Sequence, residues 1–156
     1  MRSRRWLLTG VMIGLLGITV LVQRGAVAPP ADPALAVGSA ARVPAAVLST
    51  MQRSCFDCHS NDTRWPWYSW IPPASWLVVH DVKDGRGQLN FSRWADYNPY
   101  DRADLLDKVC DMVSKKRMPM WQYLLLHHDA RLSDADVTAL CDWSHVEADR
   151  LVQGGP

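Results

Sequence analysis

The sequence predicts an all-α fold, in which a small helical domain follows an apolar N-terminal helix. Apolar residues in several segments recur at spacings of three and four, the period of a helix with one buried face. Capping residues and prolines stand at the ends of these segments, and no stretch shows the apolar–polar alternation of a half-buried strand. From residue 43 onward about 110 residues are available to fold, enough for one small domain.

The chain begins with an arginine-rich segment that leads into an uncharged apolar run. Three arginines within the first five residues precede the run Trp6–Val22. Residues 1–24 therefore have the pattern of a signal-anchor or transmembrane helix. A small-residue cleavage pattern stands at Ala26-Val27-Ala28, but two prolines follow it, so we expect a retained anchor. The arginine excess predicts a single-pass protein of the bacterial inner membrane, with the rest of the chain facing the periplasm.

Residues 25–42 are predicted to be a linker, because they are rich in alanine, proline and glycine and show no apolar period. The folded domain is predicted to span residues 43–153. Outside the N-terminal segment the chain carries 13 Lys plus Arg against 16 Asp plus Glu, a formal charge of −3. This balance does not suggest a nucleic-acid partner, and the sequence leaves the oligomeric state open.

The first helix of the domain is predicted to begin near Pro44, since proline suits the first position of a helix. It runs into a cysteine pair, and its apolar side is spaced at four, four and three residues. That side consists of Val47, Met51, Cys55 and Cys58. Residues 65–73 are predicted to form an ordered aromatic loop, because their prolines block a regular helix.

Three further helices are predicted after this loop. One spans Ala74–Lys83 and ends at the Asp-Gly-Arg-Gly run of residues 84–87. The next begins with Asp101 as its cap. The last begins at Ser133, with Asp136 three residues on as the partner in a variant of the capping box.

The most informative motif is Cys55-Phe56-Asp57-Cys58-His59, of the form C-x-x-C-H. Two thiols at this spacing can each bond a vinyl group of one haem, while the adjacent imidazole binds the iron. A zinc site needs four ligands, and no second such pair occurs. A thioredoxin-like motif would follow a strand, which the sequence does not indicate. The motif therefore predicts one covalent haem c, with Cys55 and Cys58 as thioether sites and His59 as the proximal iron ligand.

The haem iron of an electron carrier normally has a second axial ligand. Met118 is the preferred candidate, because it lies in a proline-bounded segment between two predicted helices. Met120 and His80 are less favoured, and His127 and His128 are further candidates. A methionine in this position can equally be an ordinary core residue.

Two cysteines, Cys110 and Cys141, remain outside the motif and lie on the apolar faces of two predicted helices. In an oxidising compartment we expect them to form a disulfide. The alternative is a pair of buried free thiols.

Tryptophan is abundant in this chain, which has eight, and several follow the motif directly. Indole rings supply a large apolar area at low entropic cost, as a small domain needs to exclude water from a planar cofactor. Trp65, Trp67 and Trp76 are therefore predicted to form the wall of the haem pocket.

Further short motifs extend from about residue 43 to residue 147. They are Cys55-x-x-Cys58-His59-Ser60-Asn61, Trp65-Pro66-Trp67-Tyr68-Ser69, Trp76-Leu77, Gly85-Arg86, Leu89-Asn90-Phe91-Ser92, Trp94, Met118-Pro119, Tyr123-Leu124, Leu132-Ser133 and Trp143. This set resembles the bacterial haem-binding domain family, which has c-type cytochrome character. The resemblance implies a small membrane-attached protein that faces the periplasm, with a cytochrome c-like helical fold and Met118 as the distal ligand. Where the family usually has acidic or glycine residues before Met-Pro, this chain has Lys115-Lys116-Arg117.

These features predict a membrane-tethered monohaem c-type cytochrome that transfers single electrons between redox protein partners in the periplasm or membrane. An electron carrier is favoured over a catalyst, and no catalytic residue is predicted. The alternative is a haem enzyme or a gas or redox sensor with an open sixth iron position, in which His80 or Arg86 serves on the distal side. A haem-free structural module is a third possibility.

Overall fold

The computed structural model describes residues 2–24, 27–28 and 30–154, and this part of the chain contains helices and no strands. Its α-helices are α1 (Arg2–Arg24), α2 (Val37–Ala40), α3 (Ala45–Ser54), α4 (Phe56–His59), α5 (Ala74–Gln88), α6 (Pro99–Ser114), α7 (Trp121–Leu124) and α8 (Asp134–Val152). Shorter 3-10 helices span Trp67–Trp70, Phe91–Asp96 and His128–Ala130. The predicted all-α fold class is confirmed.

The hydrophobic core lies where α3, α6 and α8 meet the 3-10 helix Phe91–Asp96. Met51, Trp94, Leu106 and Leu140 are fully buried there. Helices α6 and α8 form the most extensive helix pair, and a disulfide between Cys110 and Cys141 joins them. Helix α3, which leads into the cysteine motif, packs on α8 and is thereby held against this pair.

Part of the segment predicted as a linker packs on the domain. Val37 of α2 is buried in the core, and the Leu35 carbonyl accepts a hydrogen bond from the Ala95 amide at 3.0 Å. The folded domain therefore begins before residue 43, because one apolar side chain in an alanine-rich segment produces no periodic signal. The candidate cleavage pattern at Ala26-Val27-Ala28 lies partly outside the described residues.

Helix α5 is longer than the sequence predicts. It continues through residues 84–87 to Gln88, although glycine usually favours a helix end. Gly85 lies against the cysteine motif, where an added Cβ would stand 2.7 Å from the Cys58 carbonyl oxygen. Tertiary packing of this helix against the motif therefore overrides the local propensity.

The starts of two helices differ in how well the sequence predicts them. Helix α6 begins at Pro99, with Asn98 as its cap, and the predicted cap Asp101 instead donates its amide to the Asn98 side chain at 3.0 Å. Asn98 is the better-placed cap, because Pro99 then occupies the first helical position, which suits proline. The predicted start of α8 is confirmed, with both bonds of a capping box between Ser133 and Asp136.

Helix α1 is apolar enough to cross a membrane. Its window Arg4–Leu21 has 18 residues and a mean hydropathy of 1.4. Only 6% of that window is buried against the rest of the protein. The apolar N-terminal helix predicted from the sequence is thus present.

Candidate functional site

One cavity brings the C-x-x-C-H motif together with two methionines. Cys55, Cys58 and His59 line it with Met118 and Met120, and most of the remaining wall comes from α3, α5 and α6. Its volume is about 540 Å³. Small-molecule and cofactor sites usually have volumes of about 300–1,000 Å³, so the cavity is large enough for a cofactor.

The turn after α6 carries the methionines into this cavity. Lys116 has a φ of 54°, in the left-handed region, and the amides of Arg117 and Met118 both donate to the Met112 carbonyl, at 2.9 and 3.3 Å. Such bonds satisfy a helix C-terminus while reversing the chain. Met118 and Met120 are half-buried as a result and face the same space as His59.

His59 is held in the form that an iron ligand needs. Its Nδ1 lies 3.1 Å from the Leu89 carbonyl oxygen, which can only accept, so Nδ1 carries the proton and Nε2 keeps a free lone pair. Burial lowers the pKa of His59, although hydrogen bonding of its ring to the backbone of Leu89 and Gly85 partly opposes this shift. A neutral imidazole whose second nitrogen is fixed by a hydrogen bond is the usual arrangement of a metal-binding histidine.

The residues after the motif are fixed by side-chain hydrogen bonds. The Asn90 side-chain Nδ2 donates to Asn61 Oδ1 at 2.9 Å, and the Asn61 backbone N–H donates to Ser92 Oγ at 3.0 Å. Arg86 Nε donates to the Ser60 carbonyl at 2.7 Å. Arg86, predicted as a possible distal group, is therefore engaged in holding the motif and does not line the cavity.

Asp57, between the two motif cysteines, connects the motif to the methionine segment. It is buried, and its carboxylate accepts two bonds of 3.1 Å from the Arg64 guanidinium. The Tyr123 hydroxyl donates to Asp57 Oδ2 at 2.7 Å. Burial and this bond raise the pKa of Tyr123, so its hydroxyl remains a donor. Sequence reasoning missed this link, because the C-x-x-C-H pattern accepts any residue at position 57.

Both motif thiols lie in surroundings that disfavour their charged form. Burial raises the pKa of Cys55 to about 12 and that of Cys58 to about 11. Thiols with such values are protonated at neutral pH and are weak nucleophiles. Within the described residues, no group of three or more His, Cys, Asp or Glu side chains is placed to hold a metal ion. The raised pKa values differ from those of a reactive thiol-redox pair, whose cysteines have lowered pKa values.

The cavity walls suit a large, mainly apolar planar group. Phe91, Leu105 and Val109 supply apolar surface, and Phe56 stacks on Phe91 with ring centroids 5.6 Å apart. Ser54 is also among the lining residues, although its Oγ is itself buried and has no hydrogen-bond partner within the described part of the chain. Haem combines such an apolar ring with polar substituents, so the residues present fit it.

The tryptophans predicted to form the wall of the haem pocket do not line this cavity. Trp67 and Trp76 are 75% and 41% exposed, Trp65 is half-buried, and none of them lines the cavity. The proline-bounded segment 65–73 packs beside α5 and turns its indoles to another face of the domain. The structure therefore does not bring these tryptophans to the cavity, because composition indicates that apolar surface is needed and does not indicate where it lies.

The histidines considered as distal ligands also lie elsewhere. His80 and His128 are exposed, and His127 stacks on Tyr123 with ring centroids 4.1 Å apart. None of the three lines the cavity. Of the candidates that the sequence offers for the sixth position, the two methionines are therefore the ones the structure brings to the motif.

An all-helical domain whose cavity joins a C-x-x-C-H motif to thioethers has the features of a haem-binding protein. The chain belongs to the haem-binding domain family, whose model matches residues 14–146. Over 97 residues, 59% of this chain, it is 28% identical to cytochrome c peroxidase Ccp of Escherichia coli (strain K12). That match covers 20% of the peroxidase, so the chain spans about a fifth of this relative. No solved structure gives a significant match.

Proposed function

We propose that this protein is a membrane-tethered monohaem c-type cytochrome that transfers single electrons in the periplasm. One observation carries the proposal: Cys55, Cys58 and His59 line a single cavity together with Met118 and Met120. Thiols in this order and spacing suit thioether bonds to one haem, and histidine with methionine is an established axial pair in electron carriers.

Each residue has a distinct part in the proposed site. Cys55 and Cys58 hold the haem covalently, and His59 binds the iron through Nε2 while Leu89 fixes its ring. Met118 provides the sixth ligand. The bound haem supplies one-electron redox chemistry. The protein keeps both ligands in place and excludes water, so that little reorganises when the charge of the site changes.

The proposed location rests on two features, the apolar N-terminal helix and the disulfide. Helix α1 is long and apolar enough to span a membrane, and the arginines before it favour a cytoplasmic N-terminus. The disulfide between Cys110 and Cys141 suits an oxidising compartment. The partners we propose are redox proteins of the periplasm or of the same membrane.

The similarity to cytochrome c peroxidase favours a second candidate, a haem enzyme with an open or labile sixth position. The similarity covers only a fifth of that protein. In addition, the polar groups considered for a distal role, His80 and Arg86, do not line the cavity. We therefore place the electron carrier first.

The two candidate functions can be distinguished by mass and absorption measurements on the full chain, produced in a host that has haem-attachment machinery. We expect an intact mass that includes one haem, a thioether-to-iron absorption band, and slow binding of carbon monoxide by the reduced protein. Met118→Ala should abolish the band, and the matched variant Met120→Ala should retain it. A mass equal to the polypeptide alone contradicts covalent haem. Rapid carbon monoxide binding together with turnover of hydrogen peroxide supports the enzyme.

A further inference from the structure

Five large apolar side chains stand on the outside of the domain between residues 67 and 77. They are Trp67, Trp70, Ile71, Trp76 and Leu77, exposed by 75, 51, 50, 41 and 53% respectively. We call this group the tryptophan surface. No Lys, Arg, Asp or Glu occurs between Arg64 and Asp81. A continuous exposed apolar segment of this kind indicates an interaction site.

The tryptophan surface lies beside the N-terminal helix. Helix α1 contacts the 3-10 helix Trp67–Trp70 and α5, the two elements that carry the surface. Thr19 of α1 is only 1% exposed, whereas most described side chains of this helix are open. The folded domain therefore covers α1 at the level of Thr19.

The position of Thr19 gives the depth of this contact. It lies two residues before the end of the apolar window Arg4–Leu21, about 3 Å along a helix axis. A domain face that covers Thr19 is therefore level with the boundary between hydrocarbon and headgroups when α1 spans a bilayer. Tryptophan is enriched at that boundary, because its ring is apolar while its N–H still finds a hydrogen-bond acceptor.

We infer that the tryptophan surface rests in the headgroup layer of the membrane that α1 crosses. The bilayer is favoured over a protein partner because α1 itself fixes this surface at the depth of the headgroups. The inference rests on the proposed membrane anchoring and extends it. The domain then lies on the bilayer in one orientation, and its haem cavity has a fixed position relative to other proteins of that membrane.

The test compares two tryptophans of equal exposure in one chain. Trp67 belongs to the tryptophan surface and is 75% exposed, and Trp121 of α7 lies outside it and is 73% exposed. The full chain is placed in phosphatidylcholine nanodiscs, one chain per disc, and oxidised with hydroxyl radicals. Peptide mass spectrometry then gives the oxidation rate of each side chain. We expect Trp67 to be oxidised several-fold more slowly than Trp121.

The possible outcomes separate this inference from the anchoring. Equal rates in chains that remain with the discs overturn the membrane contact and leave the anchor intact. Chains that separate from the discs overturn the anchor, and the inference with it. Protection of Trp67 that requires two chains per disc assigns the surface to a second copy, which also overturns contact with lipid.

Discussion

The two sides of the cavity are held in different ways. On the motif side, His59, Ser60 and Asn61 are each bonded to a different residue between positions 86 and 90. On the methionine side, one backbone turn after α6 positions the segment, and one side-chain bond, from Tyr123 to Asp57, ties it to the motif. Local stability follows the number of such contacts, so the methionine side should open first.

This difference has a consequence for the proposed electron carrier. A firmly held proximal histidine keeps the haem bound, whereas a methionine on a less constrained segment can leave the iron without unfolding the domain. Damage to the motif side should therefore lower the stability of the whole domain. Damage to the methionine side should first change the sixth ligand.

The largest effect is expected from a change on the motif side, Gly85→Ala. The new Cβ would lie 2.7 Å from the Cys58 carbonyl oxygen, a backbone atom that cannot move without shifting the motif. We expect the free energy of unfolding to fall by about 3 kcal/mol, the upper end for overpacking. Urea denaturation of the haem-loaded protein measures this loss.

The matched control for this change is Gly87→Ala in the same helix. Nothing lies within 4 Å of a Cβ at position 87, so alanine should leave stability unchanged or raise it, because it favours a helix more than glycine does. Equal losses for the two variants would show that close packing of α5 on the motif does not matter.

The next effect concerns the methionine side, in Tyr123→Phe. This change removes the hydroxyl that donates to Asp57, and a hydrogen bond to a charged group contributes about 1.5 kcal/mol or more. We expect the thioether-to-iron band to be lost at a lower temperature, well before the helical circular dichroism signal. Tyr100→Phe is the control, since Tyr100 is 72% exposed. Simultaneous loss of both signals in Tyr123→Phe would contradict separate opening of the methionine side.

A smaller effect is expected where α3, the helix that leads into the motif, is hydrogen-bonded to α8. Asp136 of α8 accepts hydrogen bonds from Thr50 at 3.0 Å and from Arg53 at 3.3 Å. Its bonds to Ser133, with smaller contributions from Thr50 and Arg53, lower the pKa of Asp136 from 3.8 to about 2. This stabilisation is present above pH 3.8 and is lost as the pH falls through about 2.

Asp136→Asn should therefore cost about 1 kcal/mol at neutral pH and flatten the acid limb of the stability profile. Urea denaturation at several pH values between 2 and 7 measures both effects. Asp134→Asn in the same first turn serves as the control. An unchanged acid limb in Asp136→Asn would show that another carboxylate controls acid stability.

The features that the sequence predicts well are the ones encoded locally. The Ser133 and Asp136 capping box and the C-x-x-C-H motif each lie within a few residues of chain, and the motif lines a cavity. The link between Asp57 and Tyr123 spans 66 positions, and neither residue belongs to a pattern that requires the other. Such a contact depends on the packing of α4 against the segment after α6, which no local signal describes.

The tryptophans show a second limit of sequence reasoning. Trp67 and Trp76, predicted to form the pocket wall, face outward, whereas Leu105 and Val109 line the cavity. Periodicity gives the apolar side of a regular helix such as α6. It does not indicate which way side chains point in a loop interrupted by prolines. Only the structure shows which side chains of segment 65–73 face the solvent.

The smallest effect should strengthen the methionine side. Lys116 adopts a φ of 54°, which glycine accepts without strain, so Lys116→Gly should raise the free energy of unfolding by about 0.5 kcal/mol. Lys115→Gly is the matched control: residue 115 has a φ of −82°, and glycine there should be neutral or destabilising. Opposite signs in urea denaturation are expected, with the thioether-to-iron band retained to a higher temperature in Lys116→Gly. The same sign for both variants would show that the left-handed turn does not constrain the methionine segment.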